Sequence, residues 1–181
     1  MGDENLDLAA LRQGDPRAFA ALVEQHQPVV MGLCQAMGLR GADCDDAAAE
    51  VFAAVFRSIA NFEGRSALGT WVYRIACRVI PKARKRCRGR AGEQHDEARA
   101  DTRQATPLEE SSRNEMHERV WEAVALLEDR SALVVEMHYR RGFAVEDIAA
   151  AIQCPTGTVK TLLFRARARL KEILTRQEIA P

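Results

Sequence analysis

The last third of the chain contains the pattern that most restricts what it can fold into. An apolar segment from Glu146 to Ile152 is followed by a short break at Gln153-Cys154-Pro155, and then by a segment rich in Arg and Lys. Two helices joined by a tight turn, the second of them basic, are typical of a helix-turn-helix, whose second helix enters the major groove of DNA.

The basic segment divides into two faces when it is drawn as an α-helix. Apolar residues form one face: Val159, Leu162, Leu163, Ala166, Leu170, Ile173 and Leu174. The opposite face carries Lys160, Thr161, Phe164, Arg165, Ala168 and Lys171. No acidic residue occurs between Ile148 and Lys171, whereas a merely solvated helix face usually mixes both signs of charge. A solvated amphipathic helix is the alternative, but the pattern favours contact with DNA phosphates.

The composition predicts an all-α protein, because helix formers dominate and no segment alternates with the period of a β-strand. The 26 basic and 26 acidic residues balance, so the net charge indicates no partner. The charges are nevertheless separated along the chain. Nine basic residues and no acidic one lie between Gly64 and Gly92, and such separation creates local fields.

The five cysteines include no Cys-x-x-Cys pair. The sequence shows no signal-peptide pattern and no apolar run of membrane-spanning length. We therefore expect a reduced, cytoplasmic protein without membrane insertion. We also expect no metal site, no cofactor and no small-molecule substrate.

The chain divides into three parts. Residues 6–86 are helical in pattern. Residues 87–113 are rich in Arg, Gly, Glu, Gln, Asp, Ser and Thr, with Leu108 as the one large aliphatic, and this composition predicts a flexible linker. Residues 114–178 are helical again and contain the helix-turn-helix. The sequence thus predicts two small helical domains joined by a flexible linker.

Local signals in the first part predict where its helices begin and end. Asp15 before Pro16 marks a helix start. A second helix is predicted over residues 43–60, with three carboxylates in its first turn. Thr70 is a candidate N-cap for the next helix, and Pro81 is expected to kink or end that helix.

Two sets of motifs resemble bacterial RNA polymerase sigma factors of the extracytoplasmic-function (ECF) group in the sigma-70 superfamily. Those that resemble region two of that group are residues 43–52 (DCDDAAAEVF), 62–66 (FEGRS) and 70–76 (TWVYRIA). Those that resemble region four are residues 126–130 (LLEDR), Tyr139, Gly142 and the helix-turn-helix. Many regulators share the second set, but both sets in this order are specific.

The resemblance implies a protein without catalytic activity that binds the β′ and β subunits of core RNA polymerase and promoter DNA. The resemblance further implies that it directs promoter-specific transcription initiation and that an anti-sigma factor is its inhibitor. Polymerase binding is implied for Asp46, Glu50 and Phe52, which share one predicted helix. The alternative for Phe52 is a core position.

Recognition and opening of the −10 element are implied for seven residues: Phe62, Arg65, Ser66, Trp71, Tyr73, Arg74 and Arg78. Aromatic rings stack on unpaired bases and Arg neutralises phosphates, so these residue types suit DNA opening. For Trp71 the alternative is again a core position.

Recognition of the −35 element is implied for Thr158, Lys160, Thr161, Phe164 and Arg165. Lys and Arg bond guanine acceptors or phosphates, and Phe can contact a thymine methyl. The chain departs from the family at three positions: Ala49, Arg78 and Leu162. Relatives often have Gln in place of Ala49 and usually have Asn in place of Arg78. They often have Arg or Lys in place of Leu162.

Two other classes of protein compete with this interpretation. A stand-alone helix-turn-helix regulator would not bind core polymerase, so co-purification with polymerase separates it from a sigma factor. An enzyme has no support, since we find no paired catalytic carboxylates, nucleophile–base pair or phosphate-binding loop.

Overall fold

The computed structural model describes residues 6–93 and 118–179, which contain helices and turns but no β-strand. This confirms the all-α prediction. The helices of the first half are α1 (Leu8–Arg12), α2 (Pro16–Ala36), α3 (Gly41–Ser58) and α4 (Leu68–Glu93), with a 3₁₀ turn at Ile59–Asn61. Those of the second half are α5 (helical residues 118–125), α6 (Asp129–Val135), α7 (Val145–Ile152) and α8 (Thr156–Ile179). A π-helical turn, Glu136–Arg140, continues α6.

Helix α2 begins as predicted. Asp15 is its N-cap and accepts a hydrogen bond from the N–H of Ala18 at 2.8 Å, and Pro16 occupies the first turn. An N-cap carboxylate satisfies one of the backbone donors that a helix start leaves unpaired.

The predicted N-cap of α4 is wrong, and the helix does not end at Pro81. The helix begins at Leu68, so Thr70 lies inside its first turn and does not cap it. Pro81 also lies inside the helix, which continues to Glu93. A proline removes one backbone hydrogen bond, but its neighbours Ile80 and Ala83 are buried in the core, and this packing holds the helix on both sides of Pro81.

The domain boundaries predicted from composition fall partly outside the described residues. Helix α4 runs seven residues past Arg86, where the first domain was expected to end. Residues 87–93 of the predicted linker are thus helical, and its remaining residues, 94–113, lie outside the described part of the chain.

The buried apolar residues form one core that extends through both halves. In the first half α3 packs on α2 and α4, and the buried residues include Leu22, Val30, Leu33, Val51, Val55 and Val72. In the second half α6 and α7 pack on α8, and the buried residues include Val124, Leu133, Val134, Ile148, Val159 and Leu163. The two halves also contact each other, because α4 packs on α7, and α2 packs on α6 and the π-helical turn.

The helix-turn-helix forms where the sequence predicted it. Helix α7 ends at Ile152, and its C-cap residue, Gln153, has a left-handed φ of 53°. The N–H of Cys154 bonds to the carbonyl of Ala149 at 3.0 Å. A left-handed residue satisfies a free carbonyl at a helix end. Helix α8 then begins at Thr156.

Burial along α8 confirms the two faces predicted from its sequence. Val159, Leu163 and Ala166 are buried, whereas the opposite face is exposed at Lys160, Thr161, Phe164 and Arg165. Among the helices of the described residues, none is both long and apolar enough to cross a bilayer.

Replacing Leu163 by Ala should therefore destabilise the second half of the chain, because the side chain is 3% exposed and would leave a cavity. We expect a loss of about 2–5 kcal/mol in the free energy of unfolding, measured by urea denaturation. Phe164→Ala is the matched control on the next residue, which is 71% exposed, and should change stability by less than about 0.5 kcal/mol. Equal losses in the two variants would contradict the assignment of the two faces.

Candidate nucleic-acid interface

The exposed face of α8 is the first element of the site. Lys160, Phe164 and Arg165 project into solvent, and the Thr161 hydroxyl donates to the carbonyl of Gly157 at 2.9 Å. Thr158 is half-buried at the start of the helix. A helix that presents two cations and an exposed aromatic ring beside each other has the donors and apolar surface needed to contact base edges in a major groove.

A small cavity beside the start of α4 brings together five of the seven predicted −10 residues. It has a volume of about 100 Å³. The predicted residues that line it are Phe62, Arg65, Ser66, Trp71 and Arg74. The cavity is therefore lined both by the loop that precedes α4 and by the first two turns of α4.

Inside this group the side chains differ in exposure. Phe62 is 4% exposed, and its backbone carbonyl accepts a bond from Arg12 Nε at 3.0 Å. Its ring lies 5.1 Å from that of Trp71, which is half-buried. Arg65 is exposed and pairs with Glu63 at 3.0 Å. Phe62 thus shapes the loop, while Arg65 supplies charge at its surface.

The other two predicted −10 residues lie apart from this cavity. Tyr73 is 6% exposed. Its hydroxyl is 2.8 Å from Nδ1 of His26, and its ring is 5.2 Å from that of Phe143 in the second half. Arg78 is exposed and lines a wider groove of about 630 Å³ between the two halves, together with Trp71 and Arg74.

Helix α3 carries the predicted polymerase-binding residues, and the structure separates them. Asp46 and Glu50 are exposed, and Glu50 forms an ion pair with Arg86 of α4. Phe52 is 8% exposed and belongs to the core, which is the alternative stated for it. The exposed aromatic residue of α3 is Phe56, which is 48% exposed and contacts the ring of Phe19 edge-on at 4.9 Å.

Sequence reasoning missed Phe56, although the helical spacing contained the signal. Phe56 lies three and seven residues after Ala53 and Ala49, which are exposed, so it shares their face. Phe52 lies one and four residues after the buried Val51 and Ala48, on the edge of the core-facing stripe.

Three of the cysteines have perturbed thiols. A hydrogen bond with Cys44, together with burial, raises the pKa of Cys34 well above its usual value, and the same bond lowers the pKa of Cys44. Burial raises the pKa of Cys77 to about 12. Protonated, buried thiols are poor nucleophiles. Within the described residues, no group of three His, Cys, Asp or Glu side chains is placed to hold a metal ion.

The fold and the basic face of α8 define a helical DNA-binding protein of the helix-turn-helix class. Comparison with known families specifies it further. Residues 22–90 match the sigma-70 region 2 family, and residues 117–170 match the sigma-70 region 4 family. We refer to these as region two and region four.

Two curated relatives are similar in sequence to this chain along nearly its whole length. The RNA polymerase sigma-H factor of Pseudomonas aeruginosa is 30% identical over 174 residues, which cover 91% of this chain and 90% of that protein. The ECF RNA polymerase sigma-E factor of Haemophilus influenzae is 32% identical over 171 residues, which cover 89% of each.

Two solved structures have a similar fold. CnrH, in complex with the cytosolic domain of CnrY, has a TM-score of 0.69 at 21% identity and covers 93% of this chain and 95% of that one. The sigma factor RpoE of Bartonella quintana, in complex with the anti-sigma factor NepR, has a TM-score of 0.65 at 23% identity and covers 87% and 96%.

The chain belongs to the sigma-70 family of RNA polymerase sigma factors, in the ECF group. It is a promoter-directing sigma factor, as the resemblance predicted, and the match to region two separates it from a stand-alone helix-turn-helix regulator.

Proposed function

We propose that the two regions of this sigma factor recognise different elements of the promoter. Region four reads the −35 element with the exposed face of α8, and region two docks on core polymerase and opens the −10 element. The observation that carries the proposal is the separation of faces on α8, where Lys160, Phe164 and Arg165 are exposed while Leu163 is buried.

At the −35 element, the chemistry follows from the side chains of that face. Lys160 and Arg165 donate to guanine acceptors or to phosphates, and Phe164 contacts a thymine methyl. Thr161 already bonds its own helix through Gly157, so its methyl group is the part that faces DNA. Thr158, at the start of the helix, is placed near the phosphate backbone.

At the −10 element, the cavity beside α4 receives an unpaired base. Trp71 provides a stacking surface, and Arg65 and Arg74 neutralise the neighbouring phosphates. Ser66 supplies a hydroxyl for hydrogen bonding to the base, and Phe62 holds the shape of the loop. Tyr73 joins this surface only when Phe143 moves away from it.

Polymerase docking uses the exposed side of α3. Asp46 and Glu50 provide the negative charge, with Glu50 exchanging its pairing with Arg86 for a cation on β′ or β. Phe52 supports this helix from the core, and Phe56 supplies the apolar contact at the surface. An exposed large aromatic beside two carboxylates suits an interface anchor.

The remaining partners are proposed from the relatives. In the two similar structures, CnrH is bound to the cytosolic domain of CnrY, and the sigma factor RpoE is bound to the anti-sigma factor NepR. We therefore assign an anti-sigma factor to this chain as well. Its setting is the cytoplasm, where core polymerase is found, and it needs neither a cofactor nor catalytic activity of its own.

Run-off transcription with core polymerase on genomic fragments tests the proposal and maps the promoter in the same experiment. We expect specific transcripts that start at one promoter class and are absent with core polymerase alone. The fragments should include the region upstream of the gene for this protein. Complete absence of a specific transcript would refute the proposed function.

Charge reversal on α3 should weaken binding to core polymerase. Asp46→Lys and Glu50→Lys should each reduce affinity by about tenfold, equivalent to about 1.4 kcal/mol, because each replaces an attraction by a repulsion. The helical circular dichroism signal should not change. Glu24→Lys, a charge reversal at another exposed position, on α2, is the control. Unaltered polymerase affinity in the double variant Asp46→Lys/Glu50→Lys would remove α3 from the interface.

Truncation of the α8 cations should impair −35 binding. Lys160→Ala or Arg165→Ala should cost about 1–3 kcal/mol where a guanine edge is read. A residue that contacts only phosphate should instead lower affinity uniformly across sequences and reduce its dependence on salt. Arg169→Ala is the control, since Arg169 lies further along the same helix and pairs with Glu172 at 2.8 Å. Footprinting distinguishes these results.

The combined variant gives the decisive outcome for this helix. If Lys160, Thr161, Phe164 and Arg165 are all changed to Ala and −35 selection is unaltered, α8 is not the reader of this element.

A further inference from the structure

Two cysteines of region two lie against each other where α2 packs on α3. Cys34, in the last turn of α2, is 0% exposed, and Cys44, near the start of α3, is 3% exposed. The Cys44 Sγ is 3.9 Å from the carbonyl oxygen of Met31, one turn before Cys34 on α2. Because a helical side chain leans over the turn that precedes it, the Cys34 side chain lies over that same turn. The two thiols are hydrogen-bonded to each other.

The connection between the two helices holds the sulfurs in place. Residues 37–40 join α2 to α3. The N–H of Leu39 bonds to the carbonyl of Cys34 at 3.1 Å, and the Arg40 guanidinium donates to the carbonyl of Gln35 at 2.7 Å. The helix ends that carry the cysteines are therefore fixed to each other. A disulfide needs an S–S distance of about 2 Å, so its formation requires the two side chains to approach from hydrogen-bonding contact, without unfolding of the chain between them.

The two thiols differ in reactivity because their pKa values move in opposite directions. The hydrogen bond from Cys34 lowers the pKa of Cys44, and the cation of Arg40 contributes to this, against the opposing effects of burial and of Asp45. The same bond, together with burial, raises the pKa of Cys34. Cys44 also lies near the N-terminus of α3, where the helix dipole favours a thiolate. Cys44 is therefore suited to attack an oxidant, and Cys34 to complete the reaction as a thiol.

We propose that Cys34 and Cys44 are a site of reversible oxidation, at which a hydroperoxide such as hydrogen peroxide forms a disulfide between α2 and α3. The Cys44 thiolate attacks one peroxide oxygen, the O–O bond breaks, and a sulfenic acid and hydroxide result. The Cys34 sulfur then bonds to the Cys44 sulfur, the S–O bond breaks, and the Cys34 proton leaves with that oxygen as water. Overall, the two thiols lose two electrons and two protons, and one peroxide becomes two molecules of water.

The position of the pair allows both access and reversal. Asp43 and Asp45, on either side of Cys44, are exposed, so a small oxidant has to pass only the first turn of α3 to reach the Cys44 sulfur. A dithiol reductant reverses the reaction by thiol–disulfide exchange. The pair is therefore reduced under ordinary cytoplasmic conditions and becomes oxidised when peroxide is present.

The disulfide acts on the helix that is proposed to dock on polymerase. Asp46 and Glu50 lie two and six residues after Cys44 on α3. Because the contact between α2 and α3 is close-packed, drawing the two sulfurs together shifts the start of α3 against α2. This consequence rests on the proposed function of α3. We expect the oxidised protein to bind core polymerase at least about fivefold more weakly, which is the lower end of typical coupling between two sites.

Peroxide treatment of the full-length protein, followed by alkylation of free thiols and peptide mass spectrometry, tests the oxidation site. The expected product is a cross-linked pair of peptides that joins Cys34 to Cys44 and disappears on reduction. Cys34→Ser should stop the reaction at a Cys44 sulfenic acid, which dimedone labels, and Cys44→Ser should give neither product. Cys77→Ser is the control and should still form the bridge. If circular dichroism shows that a Ser variant does not fold, Cys34→Ala or Cys44→Ala replaces it.

The outcomes separate the two proposals. If peroxide-treated wild-type protein lacks the Cys34–Cys44 bridge, or forms a bridge through other cysteines in its place, the oxidation site is wrong. Oxidation should weaken polymerase binding and run-off transcription in the wild type but not in Cys44→Ser. If the bridge forms and polymerase affinity is unchanged, control of docking is wrong, while the oxidation site and the proposed function stand. If reduced wild-type protein with core polymerase gives no specific transcript, the proposed function itself fails.

Discussion

The arrangement of the two regions depends on how the Glu136 carboxylate is neutralised. A buried carboxylate is costly unless it is paired and hydrogen-bonded. Here Arg141 supplies the pairing at 3.0 Å, and Arg140 lies 3.7 Å from the other oxygen. Because the same Arg141 also bonds α2, the charge balance inside region four is connected to its contact with region two.

The two surfaces proposed to read DNA differ in accessibility. The basic face of α8 lies on the outside of region four, because its apolar face is used in the core with Val159 and Leu163. The face of α4 that carries Tyr73 lies between the regions, with Tyr73 against Phe143. On α3, the residues proposed to contact polymerase at the surface, Asp46, Glu50 and Phe56, are exposed.

The sequence predicted best those features that repeat with helical spacing. The two faces of α8 and the Asp15–Pro16 helix start could be read directly, because both depend on near neighbours along the chain. The start of α4 was misplaced at Thr70 because the helix begins two residues earlier, at Leu68, which is buried in the core. The helix continues past Pro81, where Ile80 and Ala83 are buried on either side. The contact between α2 and the π-helical turn could not be predicted, since Gly32 and Glu136 become neighbours only in the folded chain. For the same reason, the sequence could not show that Tyr73 lies beneath region four instead of at the surface.

The central claim, that α8 and the loop before α4 read different promoter elements, is tested most directly by cross-linking to promoter DNA in the complex with core polymerase. Photoreactive non-natural side chains would replace Arg165 of α8 and Arg65 of the loop, both of which are exposed. The account predicts cross-links from position 165 to the −35 element and from position 65 to the −10 element. Cross-links from both positions to one element, or from neither position to the promoter, would contradict it.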